Sequence, residues 1–208
     1  MGPATGRVRV TECKNLTLTS PTRSLIISDS RGVLVHTLVP QRPLLTGART
    51  TSITLAPLNI HYGKLRNQLA AAGLQTHLNL WNKPLHLGAD GSVITGACEV
   101  ISPDEFHLHA MPFSDSSSPV DGRPPLVPPG LPRKFIKSIE TARHRVSSFR
   151  NEVEDSELNS EQKVILQKAI DARFKKWLKE TGKQRELDQL EKLSVSLKYS
   201  RISKQTTI

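Results

Sequence analysis

Two cysteines in 208 residues, Cys13 and Cys98, are too few for a disulfide scaffold and fit a reducing compartment. Neither belongs to a Cys-x-x-Cys pair. Aromatic side chains make up only 4% of the chain, nine in all, so the core is expected to be aliphatic. No apolar run approaches the ~18 residues of a membrane-spanning helix. The opening MGPATGRVRV lacks the apolar stretch of a secretory signal, and Pro3 and Gly6 disfavour N-myristoylation. Neither Asn-Gly nor Asp-Gly occurs in residues 1–56, which disfavours tight two-residue hairpins there. No Gly-x-Ser-x-Gly, Walker A or Gly-x-Gly-x-x-Gly sequence is present, so nothing argues for an autonomous enzyme or a nucleotide cofactor.

What the chain has is an excess of positive charge, unevenly spread. The formal net charge is +10. Residues 1–130 hold 11 basic and 8 acidic side chains, whereas residues 131–208 hold 18 and 11. Between them SDSSSPVDGRPPLVPPG, residues 114–130, carries five prolines and four serines. Proline removes amide donors and favours solvated, extended backbone, so this stretch reads as a linker. The expected division is a β unit over 1–113, the linker 114–130 and a basic helical segment 131–208.

Residues 8–56 repeat short β-type runs: VRV, LTLT, SLIIS, VLVHTLV, PLLT and SITLA, starting at 8, 16, 24, 33, 43 and 52. Val, Ile, Thr and Leu dominate them, and turn formers separate them. This spacing suits a sandwich or a β-solenoid. Two or three short runs per coil, with Pro and Gly at the corners, favour a parallel β-helix whose coils bury aliphatic side chains along one axis. Tyr62, Leu65, Leu69 and Ala72 then recur at helical spacing before Gly73, so a helix over about 60–73 should flank the stack. EFHLHAMPF, residues 105–113, alternates like a strand.

In the C-terminal segment Phe135, Ile139, Ala142, Val146, Phe149 and Val153 form an apolar seam on one helix. Asn159 and Gln162 have the spacing of a capping box for a second helix lined by Val164, Ile165, Ala169, Ile170, Phe174, Trp177 and Leu178. Leu187, Leu190, Leu193 and Leu197 suggest a third helical stretch. Short connections favour an antiparallel helical hairpin.

The chemistry-bearing candidates are few. Arg173, Lys175, Lys176, Lys179, Lys183 and Arg185 cluster at the end of the second helix. They read either as a solvated face that complements the helix dipole or as a surface for an anionic partner. No specific nucleic-acid recognition is expected, because stacking aromatics and a docking element are missing. His107 and His109 share a face if their segment is a strand, but a metal site needs further ligands, so no metal is expected. Asp104 and Glu105 would point to opposite faces and suit acid–base pairing poorly. An arginine finger acting on a partner's nucleotide needs only an exposed Arg on a rigid platform. Arg23, Arg31, Arg42 and Arg49 lie in the strand region.

VPQRPLLTG (39–47), TSITLAPLNIHYGKLRNQLAAAGL (51–74), NLWNKP (79–84), SPDEFHLHAMPF (102–113) and GLPRKFIKSIETA (130–142) occur in one order. With FKKWLKETGKQRELDQL (174–190) they resemble the C-terminal part of the domain-containing members of the tubulin-binding cofactor C family, also called C-CAP or cofactor C-like. The resemblance covers about residues 8–190. It implies a right-handed parallel β-helix, here N-terminally truncated, followed by α-helices. It also implies a non-catalytic cytoskeletal interaction module in the cytoplasm, at centrosomes, spindle poles and basal bodies. Its roles there are organelle positioning (Golgi included), cell shape and microtubule organisation. Partners would be proteins of the microtubule cytoskeleton, with tubulin as one candidate, and no cofactor or membrane span. The chain is expected to be a fragment or short isoform with its first coil open. Some family members carry an arginine finger directed at a GTPase. The matching position here is Ile26 in SPTRSLIISDS, and Arg23 stands three residues away. The alternative reading, a GTPase-activating protein for tubulin or an Arf-like GTPase, would rest on Arg23.

Overall fold

The computed structural model describes residues 2–88, 90–94, 96, 98–109 and 127–180. All six expected runs are strands: β1 (Ala4–Thr11), β2 (Lys14–Thr19), β3 (Thr22–Ser28), β4 (Arg31–Thr37), β5 (Leu44–Thr46) and β6 (Thr51–Pro57). Two short strands follow, β7 (Leu85–Leu87) and β8 (Cys98–Val100). The odd strands form one sheet in the order β1-β3-β5-β7 and the even strands another in the order β2-β4-β6-β8. Every pairing within these sheets is parallel. Successive strands therefore alternate between two sheets, and the chain winds into a β-solenoid of about three turns.

Parallel register stacks like on like. Val10, Ile27 and Leu45 stand one above another on the inner side of the first sheet. Val33 stacks on Ile53 and Val35 on Leu55 in the second. All seven belong to one buried cluster. Each such side chain contributes about 1.5–3 kcal/mol on full burial. His86 takes the rung above Leu45. Its two ring nitrogens are buried with no hydrogen-bond partner among the described residues.

The corner from first to second sheet repeats its backbone. Glu12, Asp29 and Gly47 leave the first-sheet strands at positive φ, and Asn15, Gly32 and Ser52 enter the second sheet at positive φ. A Cβ on Gly47 would lie 2.6 Å from the Asp29 carboxylate, and one on Gly32 2.7 Å from Asn15 Oδ1. A side chain at either glycine would have to displace the polar side chain of the neighbouring coil, at a φ that L residues rarely adopt. Arg49 ties the corner together, reaching Glu12 at 3.4 Å and Asp29 at 3.5 Å.

The flanking helix α1 (Leu65–Ala71) is shorter than the expected 60–73. Ile60 bridges to His109, and Gly63 and Lys64 form a turn closed by the Leu65 amide on the Tyr62 carbonyl. Leu65, Leu69, Ala72 and Leu74 pack with Leu38, Leu58 and Ile60. Gly73, at φ +67°, ends the helix as expected. Its amide donates to Ala70, and the Leu74 amide donates to Leu69, the paired bonds of a Schellman cap.

The scarce aromatics are concentrated rather than absent from the core. Trp81, Phe106 and Phe135 are buried and meet edge-on, with ring centroids 5.8 Å apart for Trp81–Phe135 and 5.1 Å for Phe106–Phe135. Such pairs add about 0.5–1.5 kcal/mol beyond area burial. Phe135 lies in α2 (Arg133–Asp155), where Ile136 and Ile139 also pack on the core. Just before it, Pro128 and Pro129 are buried and Val127 packs on the same core. The rest of the Pro/Ser-rich stretch, residues 114–126, lies outside the described residues.

The chain divides into two compact units, residues 1–145 and 146–208. The described part of the second is helical and includes α3 (Ser160–Glu180). The capping box forms as expected: the Gln162 amide donates to Asn159 Oδ1 at 2.8 Å, and the Asn159 amide to Gln162 Oε1 at 2.9 Å. The apolar side of α3 is largely exposed. Ile165 is 64% accessible, Phe174 53% and Trp177 42%, while Leu178 is buried. The suggested third helical stretch, Leu187 to Leu197, lies outside the described residues.

Candidate functional site

The outer side of the first sheet carries Arg9, Ile26, Leu44 and Leu85 in one ladder. Arg9 is exposed and the three aliphatic residues are half-buried. The position that the resemblance gives to a finger arginine is therefore an aliphatic rung. Arg7 and Arg9 form the exposed basic edge of this face.

Strict alternation along β3 would turn Arg23 inward. The pairing of β1 with β3 shifts between Ala4 and Arg7, and burial at the start of β3 departs from strict alternation. Thr22 is buried, Arg23 is exposed and Ser24 is half-buried. Arg23 Nη2 donates to the Ala72 carbonyl at 3.5 Å. That carbonyl belongs to the C-terminal cap of α1, where the helix dipole favours a cation. A side chain on Gly73 would meet the guanidinium at 2.8 Å.

The other arginines of the strand region are also engaged or peripheral. Arg42 donates to the carbonyls of Lys83 and Pro84 at 3.0 and 3.1 Å. Arg49 holds the corner already described. Arg31 is exposed at the start of β4, an inner strand of the second sheet, level with Lys14 and Thr51.

Of the basic cluster, Arg173, Lys175, Lys176 and Lys179 lie on α3 and are exposed. Lys176 pairs with Glu180 at 3.8 Å. Lys183 and Arg185 lie outside the described residues. Arg173 borders a shallow apolar hollow formed with Ala169, Ile170, Phe174 and Trp177, in which the Phe174 and Trp177 rings stack with centroids 5.9 Å apart. At helical spacing, Lys168, Lys175, Lys176 and Lys179 lie away from this hollow, so α3 presents an apolar and a cationic side.

The histidine segment differs from its expected strand. Residues 103–105 form a turn, and only His109 makes a bridge, its amide donating to Asn59 at 2.8 Å. Residues 110–113 lie outside the described residues. His107 and His109 are exposed, and Leu108 packs on the core. Among the described residues no group of three His, Cys, Asp or Glu side chains could hold a metal ion. Asp104 accepts a hydrogen bond from Ser138 at 3.0 Å, which ties it to α2.

Three titratable groups have clear environments. Burial lowers the His36 pKa; its Nδ1 contact with the Pro57 carbonyl works the other way, and the nearby His109 lowers it further. Partial burial and the Arg66 charge lower His61. Burial pushes the Cys98 thiol up to about 11, with the Glu99 charge adding to it.

Residues 1–86 match the family described as Tubulin binding cofactor C. The chain is 34% identical over 191 residues to TBCC domain-containing protein 1 of Danio rerio, covering 91% of this chain and 32% of that protein. The proteins of the same name from Rattus norvegicus and Homo sapiens are 30% and 28% identical, again over 91% of this chain. The chain spans about a third of the length of these relatives. These matches agree with the resemblance read from the sequence, and over residues 1–86 the chain is similar to a tubulin cofactor C-like module. Among the described residues no helix is long and apolar enough to cross a membrane.

Proposed function

From its similarity to the tubulin binding cofactor C family, which the coiled residues 1–86 carry, we propose that the chain is a non-catalytic docking module of the microtubule cytoskeleton. The observation that carries this reading is the outer ladder Arg9–Ile26–Leu44–Leu85 on a stacked parallel sheet. Parallel strands locked in register give a stiff surface that costs little ordering entropy when a partner binds. An aliphatic ladder with a basic edge suits protein contact. Ile26 offers no charge to a transition state. The exposed Arg173, Lys175, Lys176 and Lys179 supply a second, electrostatic contact.

The working place that follows from the family resemblance is the cytoplasmic microtubule-organising centre, including centrosomes, spindle poles and basal bodies. The role is positioning of organelles such as the Golgi apparatus and organisation of microtubules. Tubulin is the first partner to try. Imaging the tagged chain with a spindle-pole marker tests the location, with enrichment at the poles as the expected outcome. A diffuse signal throughout the cell cycle would contradict it. Purified tubulin retained by immobilised chain, and released by Ile26→Glu, would link the binding to the sheet face.

A further inference from the structure

Away from the sheet faces, α2 and the turn at residues 103–105 enclose a cleft of about 540 Å³. Its lining includes Asp104, Lys134, Lys137, Ser138, Thr141 and Arg145. Lys134, Lys137, Thr141 and Arg145 recur at steps of three and four, which places them on one side of the helix. The three cations are exposed, and none forms an ion pair among the described residues. Lys134 Nζ stands 5.2 Å from the centre of the buried Phe135 ring, a cation–π contact that steadies it.

We propose that this cleft binds an extended acidic peptide segment of a partner protein. The span decides the class of ligand. At about 1.5 Å per residue, Lys134 and Arg145 are roughly 16 Å apart along the helix. That is far wider than one phosphate group but matches about five residues of extended peptide at ~3.3 Å each. Asp104 faces the middle of the cationic row through its bond from Ser138. It opposes a polymer of unbroken negative charge and accepts a bond from a neutral donor. The cleft therefore fits acidic residues at both ends of a peptide with a hydroxyl or amide residue between them. Its lining contains no aromatic side chain on which bases could stack, which disfavours a nucleic-acid strand. A planar lipid surface does not enter a concave site.

The test uses the full chain and a fluorescein-labelled probe, Glu-Glu-Ser-Ser-Glu-Glu, read by fluorescence anisotropy. Saturable binding at low salt that fades as salt rises is expected. Lys137→Glu combined with Arg145→Glu should weaken it at least tenfold. Lys64→Glu combined with Arg66→Glu, both exposed at the start of α1, should change it less than twofold. Circular dichroism checks that both variants fold, and the milder Lys137→Gln should give an intermediate loss. Absence of probe binding, equal binding by the Lys137/Arg145 variant, or a comparable loss in the Lys64/Arg66 variant would overturn the proposal. So would tighter, cleft-dependent binding of oligothymidine or phosphatidylserine vesicles. The docking function rests on the sheet ladder, so Ile26→Glu separates its failure from failure of the cleft.

Discussion

Arg23 reaches from the start of β3 to the carbonyl of Ala72, 3.5 Å away at the end of α1. The contact joins residues 49 apart in sequence and links a coil of the solenoid to its flanking helix. A helix end has carbonyls without intrahelical partners, and a cation there satisfies one of them. The same guanidinium that the alternative reading would use as a finger is thus engaged in holding α1.

Arg23→Ala should destabilise the chain modestly, by about 0.5–1 kcal/mol, the size of one solvent-accessible hydrogen bond with a favourable dipole. Urea denaturation followed by circular dichroism measures it. The variant should stay folded, which makes it usable in functional assays.

Phe135→Ala should be far more costly. Phe135 is fully buried against Trp81 and Phe106, and its truncation leaves a cavity worth about 3–5 kcal/mol. Phe174→Ala, at a ring that is 53% exposed on α3, should change stability by less than about 0.5 kcal/mol. Thermal denaturation of the two variants should separate them clearly.

Stability should fall as pH drops below the ordinary histidine value of 6.5. His36 and His61 both have folded-state pKa values below it, so the unfolded chain binds more protons in that window. The stabilisation is fully present above 6.5 and is lost as pH falls towards the folded values. Urea midpoints between pH 8 and pH 5 follow this, and His36→Gln should flatten the slope.

Cys98 should resist alkylation at neutral pH, because its thiol is pushed up to about 11 and the thiolate is the nucleophile. In a Cys13→Ser background, the iodoacetamide rate should remain low at pH 8 and climb steeply towards pH 11. A fast reaction at pH 7.5 would show that the last coil opens.

The first three coils were legible because their signal is local. Each strand from β1 to β6 carries its own aliphatic run and its own turn residues, and four of the six φ-positive corner residues, Asn15, Asp29, Gly32 and Gly47, are common turn formers. β7 and β8 carry three residues each, and a histidine occupies the inner rung of β7, so neither shows a strand pattern. They are strands because Leu44 and Ile53, 41 and 45 residues earlier, offer free edges. Trp81, Phe106 and Phe135 come from three distant segments, and no spacing rule connects them. The engagement of Arg23 was hidden for the same reason, because its partner is a backbone carbonyl on a helix that alternation along β3 cannot see. The cleft row Lys134, Lys137, Thr141 and Arg145 does have helical spacing, but the denser cluster at Arg173 to Arg185 hides it in a charge count.

The most direct measurement is GTP hydrolysis by purified tubulin, and by an Arf-like GTPase, with the chain, with its Arg23→Ala variant and with neither. A scaffold that docks without reacting should leave both rates unchanged in every arm. Stimulation by the unaltered chain that disappears in Arg23→Ala, with the variant still folded, would contradict it.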